Sequence, residues 1–120
     1  MSNIGKKNDT GKPMMGLVPP DALQEVAGVL TYGAKKYEAH NWALGIDYSR
    51  LLDATLRHIT AYQLGVNEDE DTGLHPLAHA VCELMFIISL DKRGMVDFDN
   101  IPTRRIKYGS NKRQTYPVRI

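Results

Sequence analysis

The chain has 120 residues, which fits one domain, and its hydrophobic fraction of 42% and charged fraction of 24% are ordinary for a globular protein. Its 15 Lys and Arg residues nearly balance 14 Asp and Glu residues, and a formal net charge of +1 argues against a protein that coats nucleic acid or a membrane surface. The single cysteine, Cys82, excludes an internal disulfide and fits a reducing compartment.

The first 18 residues predict an extended arm. They are polar, contain Gly11, Pro13 and Gly16, and show no apolar run of the kind found in a signal peptide. The longest apolar stretch of the chain, residues 84–90, is far shorter than the roughly 20 residues that a membrane span needs. We therefore expect a soluble cytoplasmic protein, located in the host cytoplasm if a phage encodes it.

A first helix is predicted over residues 21–32. The Pro-Pro pair before it allows a helix to begin directly afterwards, and Asp21 with Gln24 loosely matches a capping box. Gly33 either ends this helix or lets it bend. Apolar residues recur at helical spacing: Leu23, Val26, Ala27, Leu30 and Ala34.

A loop around Trp42 and then a second helix follow. Residues 38–48 contain His, Asn, Gly and Asp, which favour a loop. The second helix begins after Tyr48 or at Ser49, which is a suitable N-cap, and Gly65 is a natural stop. Its apolar stripe consists of Leu52, Leu56 and Ile59.

A third helix is predicted from Leu74 or His75 to about Arg93, after an acidic run at residues 68–71. Pro76 is tolerated because it falls in the first turn. This helix is apolar on most of its sides, and two partner helices from the same chain can scarcely surround it. We therefore expect a homo-oligomer, a dimer or tetramer, with the third helix near the interface.

These elements predict an all-α fold, a small bundle of three main helices completed by oligomerisation. Residues 1–94 would form the domain together with its extended N-terminal arm. Residues 95–120 are basic and would form a tail or docking arm with room for one short strand, because Pro102 and Pro117 discourage long helices.

The polar edge of the third helix is the feature that most suggests chemistry. His75, His79 and Glu83 are spaced four residues apart, so they lie along one edge of an α-helix. Ionisable groups on an apolar helix cost free energy unless something compensates them, and a divalent cation does so. The pattern predicts a metal site shared by His79 and Glu83. The structural alternative is a satisfied buried histidine with a glutamate paired to an arginine.

Two further sets of polar residues could belong to the same site. Asp69 and Asp71 precede the third helix, and their carboxylates suit a hard cation such as Mg²⁺, although a run of four acids is usually a solvated turn. On the second helix, Arg57 and His58 flank the apolar stripe. Their structural alternatives are a surface ion pair between Asp53 and Arg57 and a boundary histidine that covers the core.

A basic and aromatic group after the first helix suggests contacts to a nucleotide. Lysines near a helix end can hold a phosphate, and an aromatic ring can stack on a base. Trp42 has a structural alternative as a core anchor. The group consists of Lys35, Lys36, Tyr37, Asn41 and Trp42. The chain contains no Walker A loop, GxGxxG, GxSxG or HExxH motif.

Three blocks of sequence are fairly specific in combination: DTGKPMMGLVPPDALQEVAGVLTYGAKKYEAHNW, YSRLLDATLRHITAY and DEDTGLHPLAHAVCELMF. Read in order over residues 9–92, they resemble the phage and bacterial dATP/dGTP diphosphohydrolase family, a small relative of the MazG-type all-α nucleotide pyrophosphohydrolases. The resemblance implies a MazG-like helical bundle with active sites between chains. It also implies hydrolysis of a purine deoxynucleoside triphosphate to the monophosphate and pyrophosphate, with Mg²⁺ or Mn²⁺ as the cofactor.

The resemblance also implies roles for individual residues. The expected metal ligands are Asp71, His79 and Glu83, the last on the helical spacing alone. The expected catalytic residues are His58 and Asp69, which would bind metal or position water, and Arg57, which would hold phosphate. The expected substrate-binding residues are Lys12, Lys36, Tyr37, Asn41 and Trp42. MazG-type enzymes carry an ExxE pair that this chain lacks, so their ligand set cannot be transferred.

Two other functions fit parts of the pattern. An HD-type phosphohydrolase would need an adjacent His-Asp pair, and none of the four histidines is followed by aspartate. A non-catalytic module that binds or sequesters a nucleotide is compatible with the missing ExxE pair. The expected partners are a purine deoxynucleoside triphosphate as substrate and further copies of the chain, and we expect no membrane contact and no stable nucleic-acid partner.

Overall fold

The computed structural model of the protein describes residues 4–105. Within this range the chain is helical and has no strand, which confirms the predicted all-α class. The α-helices are α1 (Pro20–Lys36), α2 (Tyr48–Gln63), α3 (Pro76–Lys92) and α4 (Pro102–Arg105). Short 3₁₀ turns span Met15–Leu17, Asn41–Leu44 and Val96–Phe98. None of the helices in this range is long and apolar enough to span a membrane.

Helix α1 is longer than the sequence predicts at both ends. It begins at Pro20, and Gly33 lies inside it instead of ending it. The helix continues to Lys36, and the backbone N–H of Tyr37 closes it on the carbonyl of Gly33 at 2.9 Å. A glycine inside a helix costs about 1 kcal/mol relative to alanine, which packing against α3 offsets. The predicted capping box does not form, because Asp21 accepts a hydrogen bond from the next backbone N–H.

The start of α2 is stabilised by a residue far along the chain. Asp47 occupies the N-cap position without a side-chain hydrogen bond, so the prediction that Ser49 caps this helix was wrong. Ser49 instead donates its backbone N–H to Oδ1 of Asn100 at 2.9 Å, and the Asn100 amide donates to Oγ of Ser49 at 2.9 Å. The side chain of Asn100 thus takes the role that local sequence assigned to Ser49.

Helix α3 is the centre of the bundle and contacts both α1 and α2. On the α1 side, Val26, Ala78 and Cys82 form one buried cluster, and on the α2 side Tyr48, Leu51 and Leu90 form another. Phe86 packs against both clusters. Burial, reinforced by the Glu83 carboxylate, raises the pKa of the Cys82 thiol to about 11, so Cys82 is an inert core residue as expected.

The segment after α3 folds back onto the bundle. Met95, Phe98 and Ile101 pack against the cluster around Leu90, and Asp99 is buried with Oδ2 2.9 Å from Nε of Arg104. The first part of the predicted tail or docking arm is therefore docked on the helices. Its remaining residues, 106–120, lie outside the described range.

One face of α3 is left uncovered within the single chain. Four apolar side chains on it are between 40% and 59% exposed. They are spaced so that they form a continuous stripe along one side of the helix. We call this the α3 stripe, and it consists of Val81, Leu84, Met85 and Ile88.

Candidate metal centre

Three side chains that could bind a cation meet where the first half of α3 faces α2. They are His58 from α2, Asp69 from the loop before α3 and His79 from α3, and one ligand atom from each lies within 4.8 Å of the others. Asp69 bridges the histidines, with Oδ1 3.9 Å from Nδ1 of His58 and Oδ2 3.7 Å from Nε2 of His79. The imidazole rings stack with their centroids 4.6 Å apart. All three side chains keep some exposure, between 13% and 25%, so solvent reaches the cluster.

The loop before α3 turns the Asp69 carboxylate toward the histidines. Oδ2 of Asp69 accepts hydrogen bonds from the backbone N–H groups of Asp71 at 3.0 Å and Thr72 at 3.2 Å, as aspartate does in an Asx-turn. The backbone N–H of Asp69 bonds to the carbonyl of Leu74 at 2.7 Å. Gly73 closes the turn with φ of 71°, in the left-handed region that favours glycine, and donates to the Asp69 carbonyl. Backbone hydrogen bonds between Asp69 and residues 73 and 74 thus close the loop.

The electrostatics of the cluster favour the protonation states that bind a metal. Burial, the neighbouring His79 and Arg57 together lower the pKa of His58, although Asp69 opposes them. Burial alone would raise the pKa of Asp69, but the backbone N–H groups of the loop and the two histidines outweigh it and lower that pKa. A neutral imidazole and an ionised carboxylate are the ligand forms, so His58 and Asp69 are ready to bind a cation at neutral pH.

The donor set fits a divalent transition metal. With bonds of about 2.0–2.2 Å to His nitrogen and carboxylate oxygen, neighbouring ligand atoms around one cation lie roughly 3–3.5 Å apart. The ligand atoms of the three residues lie within 4.8 Å of one another, so the side chains have to rotate toward a common centre to bind one ion. Two imidazoles and one carboxylate form a set that such metals use with open positions left for other ligands.

The structure does not bring together the three predicted metal ligands Asp71, His79 and Glu83. His79 belongs to the cluster, but Asp71 is exposed and contributes only its backbone N–H to Asp69. Glu83 lies one turn beyond His79, where Arg57 is the charged neighbour that stabilises its ionised form. The carboxylate turned inward is therefore Asp69, one of the residues predicted to be catalytic.

His75, the first residue of the predicted polar edge, has a structural role. It is the N-cap of α3, and its Nδ1 accepts a hydrogen bond from the backbone N–H of Leu77 at 3.0 Å. Oε1 of Glu25 accepts the backbone N–H of His75 at 3.1 Å, and the ring of Tyr62 lies 5.2 Å from the His75 ring. The His75 side chain is thus engaged in capping the helix and packing against α2.

The half-buried carboxyl of Glu83 gives a stability that changes with pH. Burial raises the pKa of Glu83, although Arg57 partly opposes this effect. A raised pKa in the fold means that the stability is complete below the unfolded value of about 4.5 and falls as the pH rises through the folded value. We expect E83Q to have a higher Tm than the unmodified protein at pH 7 and the same Tm at pH 4. Thermal unfolding across this pH range measures the difference, and an equal Tm at pH 7 would contradict it.

The predicted base-stacking residue Trp42 packs inside the chain. Its indole stacks on Phe86 with centroids 5.4 Å apart and planes within 10°. The guanidinium carbon of Arg93 lies 4.9 Å from the centre of the indole ring. Trp42 also packs against the buried cluster around Leu90, so the structure supports the alternative of a core anchor.

The other predicted substrate contacts are more accessible. Tyr37 is 67% exposed, and Nζ of Lys36 lies 5.3 Å from the centre of its ring. Asn41 is half-buried at the start of the 3₁₀ turn, and Lys12 is exposed in the N-terminal arm. These side chains are available to a ligand.

Lys36 and Tyr37 follow at the far end of α1 from the residue that contacts the start of α3. The hydrogen bond between Glu25 and His75 places the first half of α1 beside the start of α3. Lys36 is 11 residues farther along α1, which is roughly 16 Å at 1.5 Å per residue. Lys36 and Tyr37 therefore lie about three turns along α1 from the contact with His75.

Sequence reasoning missed Thr72 as a member of the site. Its Oγ1 lies 2.7 Å from Nε2 of His79 and 3.4 Å from Oδ2 of Asp69. The Asp-x-x-Thr spacing before a helix was the available signal, because such pairs form side-chain to backbone turns.

Comparison with known proteins places the chain in a family. The profile of the family described as "dATP/dGTP diphosphohydrolase, N-terminal" matches residues 2–100. A protein of Salmonella phage PMBT28 named dATP/dGTP diphosphohydrolase is 44% identical over 86 residues, which cover 72% of this chain and 29% of that protein. No solved structure matches. Because the family profile spans most of the sequence, the chain belongs to the dATP/dGTP diphosphohydrolase N-terminal family.

Proposed function

We propose that this chain hydrolyses dATP or dGTP to the monophosphate and pyrophosphate with a divalent cation bound by His58, Asp69 and His79. The observation that carries the proposal is the meeting of these three side chains from separate elements in a member of this family. The relative's phage origin and name support a role in altering the nucleotide pool of an infected cell.

The reaction joins a water oxygen to the α-phosphorus and breaks the bond between that phosphorus and the oxygen leading to the β-phosphorus. A divalent cation, when bound, would neutralise phosphate charge and acidify a water molecule. Arg57 is exposed next to His58 in sequence, and its guanidinium suits the phosphate oxygens. Glu83 has a raised pKa and Arg57 as its charged neighbour, so it is our candidate for accepting the proton of the attacking water. Asp71 stays in the proposal as an exposed carboxylate next to the site, outside the set of three direct ligands.

The nitrogen donors decide which cation we expect. Mg²⁺ prefers an all-oxygen, near-octahedral environment, whereas imidazole suits the later divalent metals. With two histidines and one aspartate, the cluster should bind Mn²⁺ more tightly than Mg²⁺. Of the two cofactors that the sequence suggests, Mn²⁺ therefore fits this chain better.

We further propose that the active chain is a homo-oligomer whose sites combine two copies. The exposed α3 stripe is the face that a second copy would cover. A two-fold axis that passes through the midpoint of the stripe and is perpendicular to the helix makes the two α3 helices antiparallel. Because residues 81–88 centre the axis between positions 84 and 85, His79 then lies level with Leu90 of the other copy. The 3₁₀ turn that follows Tyr37 packs against this end of α3, because Trp42 stacks on Phe86 and lies under Arg93. We propose that a second copy supplies the phosphate and base contacts from this end through Lys36 and Tyr37.

The direct test is to incubate the 120-residue chain with each deoxynucleoside triphosphate and either Mn²⁺ or Mg²⁺, and to follow the products by ³¹P NMR. We expect pyrophosphate and the monophosphate from dATP or dGTP, with faster turnover in Mn²⁺. Release of orthophosphate instead would contradict the chemistry. Tight binding without turnover under every cation would favour the non-catalytic nucleotide-binding module.

A further inference from the structure

The hydroxyl of Thr72 makes three polar contacts at the edge of the metal cluster. Its Oγ1 accepts the backbone N–H of Leu74 at 3.2 Å, and it lies 2.7 Å from Nε2 of His79 and 3.4 Å from Oδ2 of Asp69. A hydroxyl has one proton to donate, so it can serve only one of the two acceptors at a time. The much shorter distance to His79 shows that this hydrogen bond forms, and the tautomer of His79 decides whether Oγ1 or Nε2 donates.

The carboxylate of Asp69, the second possible acceptor, is already hydrogen-bonded. Oδ2 of Asp69 already accepts two backbone N–H groups of the loop, from Asp71 and Thr72. If Thr72 donates to Nε2 of His79, that nitrogen presents a lone pair and the ring proton of neutral His79 is on Nδ1. The hydrogen bond at Nε2 thus sets the tautomer, and a cation that binds Nε2 replaces the hydroxyl at this lone pair.

We propose that Thr72 is a positioning residue that holds His79 in its Nδ1–H tautomer by donating to the lone pair of Nε2, the ring nitrogen that faces Asp69. This inference rests on the proposed metal site, to which it assigns the ligating nitrogen of His79. When a cation takes the lone pair, the hydroxyl has a second acceptor close by in Oδ2 of Asp69. Thr72 therefore keeps Nε2 of His79 unprotonated before a cation binds, and its hydroxyl donates to Asp69 afterwards.

Two substitutions separate the hydroxyl from the rest of the side chain. T72S keeps the hydroxyl and removes a methyl group, whereas T72V keeps the shape and removes the hydroxyl. The positions of the ring protons are read by long-range ¹H–¹⁵N correlation spectra of the histidines, recorded at a pH where the rings are neutral. A backbone ¹H–¹⁵N spectrum of each variant shows whether the loop from Asp69 to Leu74 keeps its fold.

In the unmodified protein and in T72S we expect an unprotonated Nε2 on His79. In T72V we expect the proton to move toward Nε2 and the affinity for Mn²⁺ alone, measured by electron paramagnetic resonance, to fall by about 10-fold or more. T72S should stay within about three-fold of the unmodified protein.

The outcomes distinguish this inference from the proposed function. A protonated Nε2 in the unmodified protein overturns the role of Thr72, whether or not Mn²⁺ binds. A tighter Mn²⁺ complex in T72V also overturns it, because the hydroxyl would then only compete with the metal. An Nδ1–H tautomer in a protein that binds no Mn²⁺ would leave the role of Thr72 in place and remove the metal site.

Discussion

Replacing Asp69 with asparagine should lower the affinity for Mn²⁺ and the hydrolysis of dATP or dGTP by about 100-fold or more. The neutral amide is a poor ligand for a divalent cation, and it also removes the negative charge that lies 3.7 and 3.9 Å from the two histidine nitrogens. The shape of the side chain is retained, and the amide oxygen can still accept the backbone N–H groups of the loop. Mn²⁺ titration and initial rates measure the two effects separately.

Two variants in the same acidic run make the Asp69 experiment specific. Glu70 is exposed and belongs to no predicted site, so E70Q serves as the matched control for the loss of one negative charge. D71N decides between the ligand that the sequence suggested and the one that the structure brings to the histidines. If D71N loses metal and activity while D69N keeps them, the His58–Asp69–His79 centre is wrong.

The contrast between Asp69 and Asp71 shows where sequence reasoning reached its limit. Both carboxylates precede α3 in an acidic run, and helical periodicity does not apply to a loop. The choice depends on which side chain folds back onto its own backbone, and Asp69 does so through the N–H groups of Asp71 and Thr72. This closure became visible only in three dimensions.

Within helices, the sequence was a better guide. The third helix was predicted to begin at Leu74 or His75 and to run to about Arg93. The observed helix α3 spans Pro76–Lys92, with His75 as its N-cap and Arg93 as its C-cap. Proline in the first turn and glycine after the end are local signals, so they need no knowledge of the fold. The N-cap of α2 was mispredicted for the opposite reason, since Asn100 reaches it from 51 residues away.

The predicted polar edge lies along one side of α3, but the group of possible metal ligands found among the described residues takes only His79 from it. Spacing placed His75, His79 and Glu83 on one edge, and each of them meets a different residue of α2 at its own level of the helix. His75 caps the helix, His79 meets His58 and Asp69, and Glu83 has Arg57 as its charged neighbour. Periodicity predicts which residues share a face, and only packing determines what each of them faces.

Charge placed on the α3 stripe should dissociate the proposed oligomer. The double variant V81D/I88D puts two carboxylates on an apolar surface whose side chains are 41% and 59% exposed in the single chain. Burying unpaired charges at an interface is strongly unfavourable, so we expect the dissociation constant of the dimer to rise by about 100-fold or more. Sedimentation equilibrium measures it. L44D is the control for adding a charge to an exposed apolar residue. Leu44 is 76% exposed and belongs to the 3₁₀ turn, not to the α3 stripe.

Mixing two inactive variants tests whether the site is shared between copies. D69N removes the metal centre, and the double variant K36A/Y37A removes the proposed phosphate and base contacts. In a two-fold dimer with shared sites, half of a random mixture is mixed dimers, each with one intact site of two, so about a quarter of the full activity should return. The same mixture made with V81D/I88D in both partners should stay inactive, since the subunits no longer meet. No recovery in a mixture that does form mixed dimers would show that each chain uses only its own residues.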